Sequence, residues 1–224
     1  MIVASRQVDL LPSSEFWYDM AKADTFDLRI ADPFQPRAPQ RRVMMRGRWG
    51  SIPVVSGRNG SLVSEARILP VETCAALSDL ITERYREARH WSRYGDLVLD
   101  MINQAHTELL WQLNLQLILG IRELLDITTP VSIGRVPLGV GGAGLAAVLR
   151  QYDATTFLSE TVGRAYTGHD EAYEDAGIDI VWSAHRPVTA DSIVSILMDY
   201  DDPMAVVLAE YPVSRSRTRQ GLSA

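Results

Sequence analysis

The 224-residue sequence has one cysteine, almost no lysine and no long apolar run, and each shortage closes off a class of function. A single thiol, Cys74, excludes an internal disulfide and any cysteine-rich metal site. Of the 22 basic residues only Lys22 is a lysine, so Schiff-base chemistry, including that of pyridoxal-phosphate enzymes, would have to use it. Lys22 lies in DMAKAD, a helical pattern rather than a pocket motif, which argues against that chemistry. No apolar stretch approaches the ~18 residues of a membrane span. The opening MIVASRQVDLLPSS lacks the charged-then-apolar layout of a signal peptide. The expectation is a cytoplasmic protein with no membrane partner. A net charge of −6 speaks against nucleic acid as a partner. The four histidines, His90, His106, His169 and His185, have no ligand spacing, so no metal is expected. A nucleophile-elbow serine and a P-loop lysine are also missing.

What is present reads as alternating strands and helices. SEFWYDMAKAD (14–24) carries Phe16, Trp17, Met20 and Ala21 on one stripe, with Ser13 or Ser14 as cap. TFDLRI (25–30) alternates as a half-buried strand, and the proline-rich ADPFQPRAPQ after it is a loop. RRVMMRGRWGSIPVV predicts a strand pair around Gly47 to Gly50, and LVSEARIL a further short strand. From Glu72 apolar residues recur every three or four positions to Ile127, with a break near His106 and Thr107. The last third predicts strands at VSIGRV (131–136), FLSE (157–160) and DIVWSA (179–184). Helices are predicted at LAAVLRQY (145–152), DEAYEDAGI (170–178), DSIVSILMDY (191–200) and DPMAVVLAEY (202–211). This alternation predicts an α/β fold: a single compact domain over 1–212, with a mostly parallel sheet and an embedded helical section at about 71–126. Residues 213–224, rich in arginine, read as a disordered tail.

PLGVGGAGL (137–145) holds Gly139, Gly141 and Gly144 at G-x-G-x-x-G spacing between a predicted strand and helix. A dinucleotide fingerprint uses such glycines for a tight turn and for close approach to pyrophosphate. Here Pro137 separates strand from loop, and too little chain follows for two mononucleotide-binding halves. The motif reads instead as an anion-cradling turn at a helix N-terminus, with Gly141 and Gly142 available to a ligand. No cofactor is expected.

A second anion-binding candidate is the acid-free stretch 37–48, which contains Arg37, Arg41, Arg42, Arg46 and Arg48. Guanidinium groups offer a bidentate fork to phosphate or carboxylate, and a solvated loop paired with acids elsewhere is the alternative. Ser159 and Glu160 lie where a strand ends, the usual place for ligand contacts in open α/β sheets. His185 follows another predicted strand and faces the same crevice if that sheet is parallel.

Taken together and in order, several segments resemble the WbqC-like family of bacterial proteins. ITERYREARHWSRY carries Tyr85, Ala88, Trp91 and Tyr94 at the family's patterned positions, and LLWQLNLQLILGIRELLDITTPV carries Leu110, Leu113 and Asn114. YDATTFLSETVGRAY matches a strand with Leu158, Ser159, Gly163 and Tyr166, and AGIDIVWSAHRP and SIVSILMDYD resemble the two segments that follow. The similarity spans about residues 12–208. Departures are also visible. Asp9-Leu10-Leu11-Pro12 stands where the family opens with Gln-Pro, and its paired aspartates are reduced to Ala31-Asp32. Its Leu-Ser-Gly glycine is Glu160, a segment after His185 is missing, and its closing aspartate is Ser195.

The resemblance implies a biosynthetic transferase of glycan or specialised-metabolite pathways, joining an amine or amino-acid group to a phosphorylated or nucleotide-activated acceptor. Its expected substrate is a small anionic molecule, and a homodimer is compatible with it. On that reading Glu160 or His185 is the general base. Asp32, Arg41, Arg42, Arg46, Gly141, Gly142, Ser159, Tyr166 and Ser195 contact substrate. The five changed polar positions equally suit a degenerate relative that binds a partner enzyme. The glycine motif leaves a nucleotide-binding oxidoreductase as a third reading.

Overall fold

Parallel strands buried on both faces must satisfy their backbone through neighbours and their side chains through helices above and below. The computed structural model, which describes residues 1–57, 60–135, 142–160 and 171–212, meets both demands. Its central strand is β1 (Ile2–Gln7), flanked on one side by β2 (Thr25–Arg29) and then β5 (Val131–Gly134). On the other side lie β6 (Thr156–Ser159) and β7 (Asp179–Trp182), and all four pairings are parallel. Among the sheet's strands in chain order the arrangement is 3-2-1-4-5, that of doubly wound nucleotide-binding folds.

The register divides the side chains cleanly. Ala4, Phe26, Leu28 and Leu158 belong to the large core, and α1 (Ser14–Lys22) packs there through Phe16, Trp17 and Met20. Phe16 meets Phe26 edge-on at 4.9 Å between ring centres. The helical section covers the same face: α2 (Pro70–Tyr85), α3 (Trp91–Asn103), α4 (Leu110–Leu124), α7 (Ile193–Asp199) and α8 (Pro203–Val207). Val3 and Phe157 point the other way, into a smaller core under α5 (Gly142–Arg150) and α6 (Glu171–Glu174).

A two-stranded hairpin, β3 (Arg42–Met45) and β4 (Arg48–Ser51), stands apart from the sheet. Its two-residue turn, Arg46 at φ 48° and Gly47 at φ 71°, has the left-handed conformation that matches hairpin twist. Val43 and Met45 anchor it in the large core, and Arg84 on α2 donates to the carbonyls of Met45 at 3.1 Å and Arg48 at 2.7 Å.

Two expectations differ from the fold. LVSEARIL is not a strand: Val63–Glu65 is a 3-10 turn whose Val63 and Ser64 amides donate to Asp32 and Ile30. Those bonds tie the segment to the loop after β2 rather than to a neighbouring strand. The helix expected over 170–178 is a single turn, Glu171–Glu174, and the chain leaves it through Gly177 at φ 69°. Gly139, Gly141, Gly163, Tyr166 and the tail 213–224 lie outside the described residues.

Candidate functional site

In an open parallel sheet the carboxyl ends of neighbouring strands diverge where the connections change direction, and that crevice receives the ligand. Here the change falls between β1, whose chain turns to β2, and β6, which is reached from the far edge. A cleft of about 230 Å³ occupies this point. Arg6, Asp9, residues 10–13, Glu15 and Phe16 form its floor, and Glu160 and the hairpin residues Arg42, Met44 and Trp49 form its walls.

The floor is the turn from β1 into α1. Leu11 is held there at φ 46°, a conformation leucine rarely adopts, and its side chain is buried. Three anchors impose the path. The Leu10 amide donates to the Pro39 carbonyl at 2.9 Å, and Trp17 Nε1 donates to the Pro12 carbonyl at 3.3 Å. Asn114 on α4, fully buried, donates to the carbonyls of Val8 at 2.9 Å and Gln40 at 2.8 Å. Ser13 caps α1 without a side-chain hydrogen bond of its own and faces the cleft.

Charge in the cleft is concentrated in carboxylates. Arg6 is spanned by two of them, Asp19 on α1 and Glu160, and Asp19 is fully buried. Burial pushes the Asp19 carboxyl up to about 6, against the opposing pull of Arg6 and the Ser183 hydroxyl. Asp9 is more perturbed. Burial raises it to about 7, the nearby Arg6 and Arg29 working against the rise and Glu160 and Asp32 with it. Its Oδ1 is buried without a hydrogen-bond partner. A carboxyl titrating near neutrality at the head of a crevice has the properties of a general base.

A polar chain continues behind Asp9 on the α5 face. Arg29 donates to Asp32 Oδ2 and to Ser5 Oγ, both at 2.9 Å, and Ser5 donates to the fully buried Asp27 at 2.7 Å. Tyr152 donates to Asp27 at 2.8 Å. Ser159, buried at the end of β6, lies on this face, one residue beyond the pairing of Leu158 with Ala4.

The residues singled out in the sequence fall into separate places. Arg42 and Glu160 line the cleft, and Asp32 and Ser159 sit in or beside the polar chain behind it. Arg41 turns back to donate to the Ile52 carbonyl at 3.0 Å, and Arg46 pairs with Asp199 at 2.6 Å over the Tyr85 ring. Ser195 is buried against Tyr85 and Asp191, away from the cleft lining. His185 is buried too: Nδ1 meets the Ala209 carbonyl at 3.1 Å and Nε2 meets Ser14 Oγ at 2.7 Å. With Nδ1 donating, Nε2 accepts from Ser14, so the imidazole holds the first residue of α1. Burial lowers its pKa. Gly142 begins α5 on the opposite side of the sheet from α1.

Arg6, Asp9, Glu15 and Trp49 are cleft residues that motif reasoning did not single out. The available signal was positional: polar residues closing an otherwise apolar N-terminal segment, directly before a helix cap. The glycine motif also has a different place in the strand order. It follows β5, an edge strand, whereas a dinucleotide fingerprint occupies the turn after the first strand. That turn reads Val8-Asp9-Leu10-Leu11-Pro12-Ser13 and contains no glycine.

Among the described residues no group of three His, Cys, Asp or Glu side chains is placed to hold a metal ion, and no helix is long and apolar enough to cross a membrane. No curated protein and no solved structure matches the chain. One family model does, over residues 7–189, a span that takes in β1's end, the floor, the hairpin and Glu160. The chain therefore belongs to the WbqC-like protein family.

Proposed function

We propose that the cleft joins an amine or amino-acid group to a small phosphorylated or nucleotide-activated acceptor, as a biosynthetic transferase. The observation that carries this reading is the cleft's two-ended chemistry. At the floor and the Glu160 wall, Asp9, Glu15 and Glu160 suit an ammonium group. At the hairpin, Arg42 has no carboxylate partner among the described residues and suits an anion; the α1 N-terminus adds amide donors.

In the proposed reaction Asp9 accepts the ammonium proton, and the freed nitrogen lone pair attacks the electrophilic carbon of the acceptor. The bond from that carbon to a phosphate oxygen breaks, and the phosphate leaves with the electron pair toward Arg42. Asp9 thereby takes the role of base in place of Glu160 or His185. Glu160 then orients the ammonium, and His185 supports the floor through Ser14.

The test is incubation of the purified protein with amino acids and nucleotide-activated sugars, with products read by mass spectrometry. Asp9→Asn is expected to abolish product. Full turnover by that variant would contradict the reading. A non-catalytic partner-binding role is favoured by one fact, the placement of Ser195 and His185 away from the cleft. It predicts no product from any pair.

A further inference from the structure

The hairpin wall carries a feature that an amine-transfer site does not itself require. Arg42 and Met44 on β3, and Trp49 and Ser51 on β4, share the hairpin's outer face, because Val43 and Met45 turn into the core. Arg42 pairs with Ser51 and Met44 with Trp49, so Arg42 and Trp49 are diagonal neighbours. The Arg42 guanidinium lies over the indole, 4.5 Å from the ring centre. Trp49 is nonetheless 49% exposed, whereas Trp17 is buried and Trp91, Trp111 and Trp182 are half-buried, and both side chains line the cleft. Among the described residues the Arg42 guanidinium makes one hydrogen bond, to the Arg37 carbonyl at 3.1 Å, which leaves most of its five donors open to a ligand.

A half-exposed indole fixed at a cleft rim by a stacked arginine is a platform for a second planar group. Aromatic–base stacking is tolerant of base identity, and the guanidinium adds both a planar face and a phosphate contact. The hairpin itself is held in place from behind. The Gly47 amide donates to Asp191 at 3.0 Å, the Ser192 amide to the Met44 carbonyl at 2.8 Å, and Arg46 pairs with Asp199. The platform is thus attached to α7 and the segment before it, and does not depend on bound substrate for its position.

We infer that the Arg42–Trp49 pair is a nucleotide subsite: the base of a nucleoside diphosphate stacks on Trp49 and the adjacent phosphate meets Arg42. This rests on the transfer reading of the same cleft and names its acceptor as nucleotide-activated rather than simply phosphorylated.

Calorimetric titration of the full chain with UDP, GDP, uridine and inorganic pyrophosphate tests it without turnover. Both nucleoside diphosphates are expected to bind at least tenfold more tightly than pyrophosphate. Trp49→Ala should weaken them by tenfold or more and leave pyrophosphate within twofold, Trp49→Phe should retain most of the affinity, and Arg42→Gln should weaken all phosphate-bearing probes. Thermal melting of each variant checks that it is folded. Equal affinity for pyrophosphate and UDP, unchanged UDP binding by Trp49→Ala, or no binding by any probe would each overturn the inference. An inactive Asp9→Asn that binds UDP normally leaves it standing. An active transferase whose affinity ignores Trp49 removes the subsite and leaves the transfer reading intact.

Discussion

Replacing Asp9 by asparagine separates a carboxyl held near neutrality from an ordinary one, because the two predict different pH dependence of stability. The Asp9 carboxyl is raised from the ordinary 3.8 to about 7 by burial, and its Oδ1 has no partner. The folded state therefore holds a proton that the unfolded chain releases between those two values. The sign follows directly: stability falls as pH rises through that window, and the penalty is complete above about 7. At about 1.4 kcal/mol per pH unit, the ionised carboxylate costs roughly 4 kcal/mol at pH 8. Asparagine never ionises and escapes that penalty. Its amide must still find partners, which offsets roughly 1–3 kcal/mol at every pH. The diagnostic is therefore the divergence between pH 4.5 and pH 8, roughly 3 kcal/mol in favour of the variant. In melting temperature this amounts to about 6–12 °C for a chain of this size. Urea unfolding at the two pH values measures it, and the same variant is expected to lose transfer activity. A stability difference that stays constant with pH would refute the argument that Asp9 is held near neutrality by its surroundings.

Other substitutions follow from the same geometry. Arg6→Met leaves Asp19 buried without its cation and is expected to cost about 3–5 kcal/mol by chemical unfolding, with Asp19→Asn restoring most of it in the double variant. Asn114→Ala removes the two donors that hold Val8 and Gln40. Two buried carbonyls lose their partners, so unfolding should show a loss of about 2–4 kcal/mol, and hydrogen exchange should quicken at Leu10. Burial lowers the His185 pKa, so its contribution is complete above the ordinary value of 6.5 and is lost as pH falls below it toward the lowered folded value. His185→Gln should flatten the acid limb of the stability profile, measured by melting between pH 5 and 8. Arg46→Ala breaks a half-exposed pair and should cost under about 1 kcal/mol, with UDP affinity changed less than twofold.

The helices were legible in the sequence because their apolar faces repeat every three to four residues and little else competes. The break between α3 and α4 and the turn at Gly47 were legible for similarly local reasons. β1 was not, and the cause is informative. A central parallel strand normally reads as a continuous apolar run, but Ser5, Arg6 and Gln7 replace the second half of that run, Ser5 bonded to Asp27 and Arg6 paired with Asp19. The polar half of the strand hid the apolar half. The arginine stretch shows the complementary problem. Charge and spacing made Arg41, Arg42 and Arg46 equivalent, yet strand alternation sends Arg42 to the cleft and the left-handed turn sends Arg46 to Asp199. His185 drew attention as an imidazole after a strand; only the Ser14 and Ala209 contacts show both its nitrogens in use. Asp9 entered the sequence reading only as a departure from the family's Gln-Pro opening, not as a candidate base. Its perturbation arises from burial and from four charged neighbours contributed by three parts of the chain.

The most direct measurement is the titration of Asp9 itself, followed by the carboxyl carbon shift in protein labelled with ¹³C-aspartate and assigned with the Asp9→Asn variant. The account predicts a midpoint near 7, displaced when an amine substrate occupies the cleft. A midpoint near 4, unmoved by amines, would contradict it.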